Sequence, residues 1–179
     1  MGRTIPSFRI AAVLEYDEWK LFRKYLKNKN EKKLFTHMFL TANLYNSACS
    51  NAVNPIRIHP IMMSIILHHY KMLKEQSSSF GGLDTSNDDY KNDIYDYNNI
   101  DSKILKQEID KWYNFSFVLQ KKNRILFEEM LQSSYKYSSS INAKGKENST
   151  ESLFMTLIFE QYKKIIFNPN HSHLSTRDL

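Results

Sequence analysis

Apolar residues return every three or four positions through most of the chain, and each break in that rhythm marks an element boundary. Behind Pro6, which suits a first helical turn, Ile10, Val13, Leu14, Leu21, Phe22, Tyr25 and Leu26 predict a helix from about Ser7 to Lys27. Asn28 and Asn30 interrupt it, and Asn30 is the expected N-cap of a second helix whose face carries Leu34, Phe35, Met38, Ala42, Tyr45 and Cys49. Asn51, Asn54 and Pro55 stop that helix, because the residue before a proline is pushed out of the α region. Pro60 opens a third helix with Ile61, Ile65, Leu67 or His68, and Met72 as its stripe, fading at Glu75.

From Ser77 to Asn99 the rhythm is lost, and Gly, Ser, Asn and Asp predict a flexible linker. Asp101 can cap a fourth helix of roughly nine turns, with Ile104, Leu105, Glu108, Ile109, Trp112, Phe115, Leu119, Leu126, Phe127, Met130 and Leu131 as its stripe. Ser138 to Thr150 is polar. Leu153, Phe154, Leu157, Ile158, Tyr162, Ile165 and Ile166 then predict a fifth helix, ended by Asn168-Pro169, and the two form an antiparallel hairpin. The expected architecture is all-α: a three-helix bundle over 1–76, an acidic linker over 77–99, a long helical hairpin over 100–168 and a frayed tail over 169–179. No internal repeat of 20 to 50 residues is visible.

Composition agrees with that class. Hydrophobic residues make up 41% and aromatics 13%, enough to build a core, while four Gly and four Pro are too few for the turns of an all-β chain. A single cysteine, Cys49, excludes an internal disulfide and a thiolate zinc cluster and points to a reducing, cytoplasmic setting. No apolar stretch approaches a membrane span, and no membrane partner is expected.

Charge is uneven. Residues 1–76 hold twelve Lys/Arg against five Asp/Glu, a net of +7, and residues 77–99 hold one Lys against five Asp, a net of −4. Lys20, Arg23, Lys24, Lys27, Lys29, Lys32 and Lys33 gather at the end of one predicted helix and the start of the next. The first four of these share a face at i, i+3, i+4 and i+7. Such a face can track phosphates, with Trp19, Phe22 and Tyr25 available to stack on bases; it can equally be a solvated surface with aromatics turned to the core. The connection from Ser50 to His59 is too long for a helix-turn-helix, so phosphate contact with weak base preference is the expectation.

The opening Met-Gly-Arg-Thr-Ile-Pro-Ser-Phe-Arg, the segment Glu18-Trp19-Lys20-x-Phe22-Arg23 and Pro60-Ile-Met-Met-Ser-Ile-Ile-Leu resemble a family of small, uncharacterised archaeal proteins over about residues 1–75. The resemblance implies a helical fold and a cytoplasmic archaeal setting, and brings no catalytic residue.

Other candidate chemistry is sparse. His68 and His69 are adjacent and point about 100° apart on a helix, so with His59 they make no chelating set, and no metal or cofactor is expected. Cys49 and His37 lie about 18 Å apart along one helix, too far for a thiolate pair. Glu15 and Glu18 are an i, i+3 carboxylate pair of the kind any surface helix offers. Ser47 to Asn54 is rich in small residues and suits close helix packing. The leading expectation is a non-enzymatic accessory protein with a basic face for nucleic acid or another acidic partner. The alternative is an assembly subunit or homo-oligomer that uses Trp112, Phe115 and Leu119 in the C-terminal half.

Overall fold

The computed structural model describes residues 7–26, 28–52, 54–79 and 103–166, and every regular element in them is helical. The expected tail, most of the expected linker, and Lys27 lie outside the described residues. The elements are α1 (Phe8–Glu18), α2 (Lys20–Tyr25), α3 (Lys29–Thr41), a 3₁₀ turn (Ala42–Tyr45), α4 (Asn46–Asn51) and α5 (Ile58–Ser79). Then come α6 (Lys103–Lys111), α7 (Tyr113–Phe117), α8 (Lys121–Gln132), a 3₁₀ turn (Ser133–Tyr137), α9 (Ser138–Lys144), a short 3₁₀ turn (Lys146–Asn148) and α10 (Ser149–Ile166).

The predicted second helix passes through the 3₁₀ turn at Ala42–Tyr45, the nine-turn helix breaks between Phe117 and Lys121, and two of the predicted helices are broken at a tryptophan, where neither Gly nor Pro stands. The first divides at Trp19 (φ −86°, ψ 3°) and the nine-turn helix at Trp112 (φ −90°, ψ 1°), both in the bridge region of backbone space. Each indole Nε1 donates to a buried carboxylate one turn back, Trp19 to Glu15 (3.2 Å) and Trp112 to Glu108 (3.3 Å). The third helix also runs on through Ser79, past the expected start of the linker.

The recurrence at the two tryptophans extends along the chain. Glu15, Asp17, Trp19, Phe22 and Leu26 match Glu108, Asp110, Trp112, Phe115 and Leu119 at a spacing of 93 residues. At a spacing of 92, Leu34, Phe35, Met38 and Tyr45 match Leu126, Phe127, Met130 and Tyr137, and Met63, Ile66, Tyr70 and Lys71 match Met155, Ile158, Tyr162 and Lys163. Geometry repeats too. Trp19 and Phe22 meet edge to face at 5.7 Å, and Trp112 and Phe115 at 6.0 Å; Phe22–Phe35 and Phe115–Phe127 are both inclined at 37°, with centroids 5.2 and 5.1 Å apart. The described chain is therefore one five-helix unit used twice, α1–α5 and α6–α10, instead of a bundle followed by a hairpin.

The units do not pack symmetrically. In the second, α7 and α8 sit on α4 and α5 of the first, and α10 lies along α5; α9 and α10 make no comparable packing with α2 and α3 among the described residues. One buried cluster consequently draws Cys49, Met63, Ile66, Leu67 and Tyr70 together with Leu105, Trp112, Phe115, Phe127 and Leu157, so the stretches 1–76 and 100–168 share a core. A smaller cluster, Phe39, Ala42, Ile61 and Ile65 with Phe8, Tyr16 and Phe35 against it, belongs to the first unit alone. The stripe expected to bury α1 faces outward: Ile10, Val13 and Leu14 are exposed, and Ala11, Ala12 and Tyr16 turn inward.

Candidate functional site

The basic residues meet at the corner where α2 hands over to α3. Asn28, not Asn30, caps α3: its Oδ1 accepts from the Glu31 backbone N–H (2.8 Å), and the Glu31 carboxylate accepts from the Asn28 N–H (3.3 Å) and Nδ2 (2.9 Å). Arg23 Nε donates to the Lys32 carbonyl (3.3 Å), which ties the end of α2 to the start of α3. Lys20 pairs with Asp17 at 2.8 Å, while Lys24, Lys29 and Lys33 are exposed and make no ion pair among the described residues. Six of the seven expected cations thus lie on α2 and α3 on either side of this corner, with Arg23 and Lys32 in contact across it, and Lys27 lies outside the described residues. Phe22 stacks between Trp19 and Phe35 with half its surface in solvent, and Tyr25 stands 80% exposed beside Lys24.

The residues expected to meet a partner are placed differently. Trp112, Phe115 and Leu119 are buried in the cluster that the two units share, Trp112 against Phe115 and Phe154, with α7 seated on α4 and α8 on α5. Their counterparts in the first unit are the accessible ones: Trp19 is 38% exposed against 1% for Trp112, and Phe22 51% against 0% for Phe115. The same inversion runs along the longest helices. Met63, Ile66, Leu67 and Tyr70 of α5 are 0, 2, 1 and 2% exposed, whereas Met155, Ile158, Phe159 and Tyr162 of α10 are 68, 41, 48 and 55% exposed. Sequence reasoning missed this second face because its apolar spacing is the same as that of a buried one.

Other candidates are absorbed by structure. Burial pushes the Cys49 thiol up to about 12, and Sγ donates to the Pro60 carbonyl at 3.4 Å. Arg57 reaches both Glu15 (3.5 Å) and Glu18 (2.5 Å), so that pair anchors the loop before α5 to α1. The small residues of 47–54 let α4 lie close to α7, where Asn51 Nδ2 donates to the Asn114 carbonyl at 2.6 Å. His59 packs edge to face on Phe154, His68 Nδ1 lies 3.3 Å from the Tyr45 hydroxyl, and His69 is exposed. Burial, then Lys71 and His37, holds His68 below its ordinary value. Among the described residues no three His, Cys, Asp or Glu side chains come together as a metal site.

Two carboxylates in the second unit have roles that the sequence reading did not assign, although Glu108 stood in its predicted stripe. Glu108 accepts from Lys111 (2.5 Å), Trp112, Ser149 (2.7 Å) and Thr150 (2.7 Å), and sits at the N-terminal end of α10. Burial pushes its carboxyl up, but the hydrogen bonds from Lys111, Ser149 and Thr150 outweigh it and hold the group below the usual range. Glu160 accepts from Lys136 (2.5 Å) and Tyr137 and is shifted down in the same way, against its own burial. Lys164 lies 4.3 Å over the Tyr70 ring. No helix among the described residues is long and apolar enough to cross a membrane.

No curated protein matches the chain, and no solved structure matches it. One family model does, over residues 1–100, a stretch that holds the opening motif, the basic corner and all of α1–α5 and ends before α6 begins. Since this is more than half of the 179 residues, the chain belongs to the family described as Domain of unknown function (DUF8156), and its match covers the first of the two units.

Proposed function

We propose that this protein is a non-enzymatic accessory factor that holds a polyanion at the α2–α3 corner, with single-stranded nucleic acid the best fit. The observation that carries this reading is that Lys24, Lys29 and Lys33 stand exposed without ion pairs among the described residues, while Tyr25 and Phe22, interleaved with the cations along the chain, have accessible rings. Phosphates would be met by ammonium groups and bases by ring faces, which gives affinity with little sequence preference. The cytoplasmic, archaeal setting suggested by the opening motif and the lone cysteine is part of this proposal.

The test is binding to generic single- and double-stranded DNA and RNA at about 50 and 200 mM salt. Three to five phosphate contacts predict a loss of roughly 20- to 100-fold across that range on single strands. The triple variant Lys24→Glu, Lys29→Glu, Lys33→Glu should abolish binding with the helical signal unchanged. Binding that survives the triple variant, or none at the lower salt, would remove this reading. A second reading, an assembly subunit, is supported by the two accessible apolar faces around Phe22 and Phe159.

A further inference from the structure

The internal seam between the two units is a worked example of how this five-helix unit associates. One partner offers a head, the face of α7 and α8 carrying Trp112, Phe115, Phe127 and Met130; the other offers a tail, the face of α4 and α5 carrying Met63, Ile66, Leu67 and Tyr70. All eight residues are at most 2% exposed. Because both units have the same elements in the same order, each end of the chain keeps one unmatched face. The first unit has an unused head, with Trp19, Phe22, Phe35 and Met38 at the corresponding positions, and the second has an unused tail, with Met155, Ile158, Phe159 and Tyr162.

These two faces are complementary in kind to the pair already buried inside the chain. Trp19 and Phe22 are identical to their buried counterparts, as are Met155, Ile158 and Tyr162, and Phe159 replaces Leu67 by a larger apolar group. Polar contacts carry over too. Inside the chain Gln161 Nε2 donates to the Ile66 carbonyl at 2.8 Å; the position of Gln161 in the first unit is the exposed His69, whose ring also carries an N–H, and the position of Ile66 in the second unit is Ile158. Burial and the neighbouring Glu129 carboxylate push the Tyr70 hydroxyl up, and the matching pair is Tyr162 and His37, both exposed.

We infer that the protein associates head to tail with a second copy of itself, the Trp19–Phe22–Phe35 face of one chain seating on the Met155–Ile158–Tyr162 face of the next. The contact repeats, between chains, the seam that joins the units within each chain. It is heterologous, so each added copy leaves one head and one tail free, and growth continues until a ring closes or the concentration limits it. The basic corner stays open in such an array. Lys20, Lys24 and Lys33 correspond to Tyr113, Phe117 and Ile125, which remain exposed in the unit whose head is already docked. This inference deepens the assembly reading; the contact covers Phe22 as Phe115 is covered, so a polyanion held by the array meets Tyr25 and the lysines without that ring.

Sedimentation velocity on the full chain over a roughly hundredfold concentration series tests it. The wild type should grow beyond dimer. Phe22→Asp (head blocked) and Ile158→Asp (tail blocked) should each weaken self-association by more than about thirtyfold, the scale of losing one central aromatic or aliphatic anchor. Mixed in equal amounts, the two variants should form a dimer that grows no further, since one supplies an intact tail and the other an intact head; that rescue also shows that both are folded. Leu34→Lys and Met155→Lys, at two strongly exposed positions, repeat the experiment as a second pair. Self-association by Phe22→Asp alone, or a mixture that stays monomeric, would overturn the head-to-tail contact. A wild type that is monomeric throughout overturns self-association, and the assembly reading falls with it only if Ile158→Asp also leaves every complex formed with cell extract unchanged on native gels.

Discussion

The first and second units place the same residue types on the same helices and bury them to opposite degrees. Phe115 and Phe22 share a ring-stacking geometry, yet one is sealed and the other is half in water; Met63 and Met155 differ even more. Nothing local distinguishes them. What differs is whether a neighbouring unit covers the face, so in this fold burial is a property of the array and not of the segment.

The largest effect expected from that contrast is on stability. Phe115→Ala should cost about 3–5 kcal/mol in urea unfolding and Phe22→Ala less than about 1 kcal/mol, and equal costs would mean that the two faces are not the same surface in two states. The buried carboxylates give the next contrast. Glu108→Ala strands Trp112, Ser149 and Thr150 without their acceptor and should cost about 2–3 kcal/mol, whereas Glu15→Ala, whose partners Trp19 and Arg57 are both reached by solvent, should cost about 1 kcal/mol by the same measurement.

Acid should separate the units in a third way. Tyr45 meets His68 in the first unit where Tyr137 meets Glu160 in the second. His68 is held below its ordinary 6.5, so its contribution is present above pH 6.5 and is lost as pH falls through its folded value. Glu108 and Glu160 are held below 4.5, so theirs is present above that pH and lost only in stronger acid. Hydrogen exchange in α5 should therefore quicken at a higher pH than in α10; simultaneous loss would break the distinction. The smallest effect is expected at the cap: Asn28→Ala should lower the melting free energy by about 1 kcal/mol, and Asn30→Ala by much less.

The helical class and most element centres were legible because apolar spacing near 3.6 residues reports them directly. The helix breaks at Trp19 and Trp112 were not, since neither Gly nor Pro stands there to mark them. The cap of α3 was legible in principle: Glu31 stands three residues after Asn28, the spacing of a reciprocal cap, and that outranks the later Asn30. The duplication escaped a search for repeats of 20 to 50 residues because its spacing is 92 to 93 and its matches are scattered. The basic corner was visible as a charge cluster, but periodicity could not say that Ile10, Val13 and Leu14 face outward or that Trp112 and Phe115 face in. A stripe declares that it needs cover without declaring where the cover comes from.

Cys49 offers a use that follows from its position. The thiol lies in the cluster shared by Trp112 and Phe115, is buried, and is held protonated to about pH 12, so an alkylating reagent can reach it only after α4 has parted from its neighbours. In native buffer its labelling rate would count those partings one by one, making the chain's single sulfhydryl a clock for how often the two copies of its own fold let go of each other.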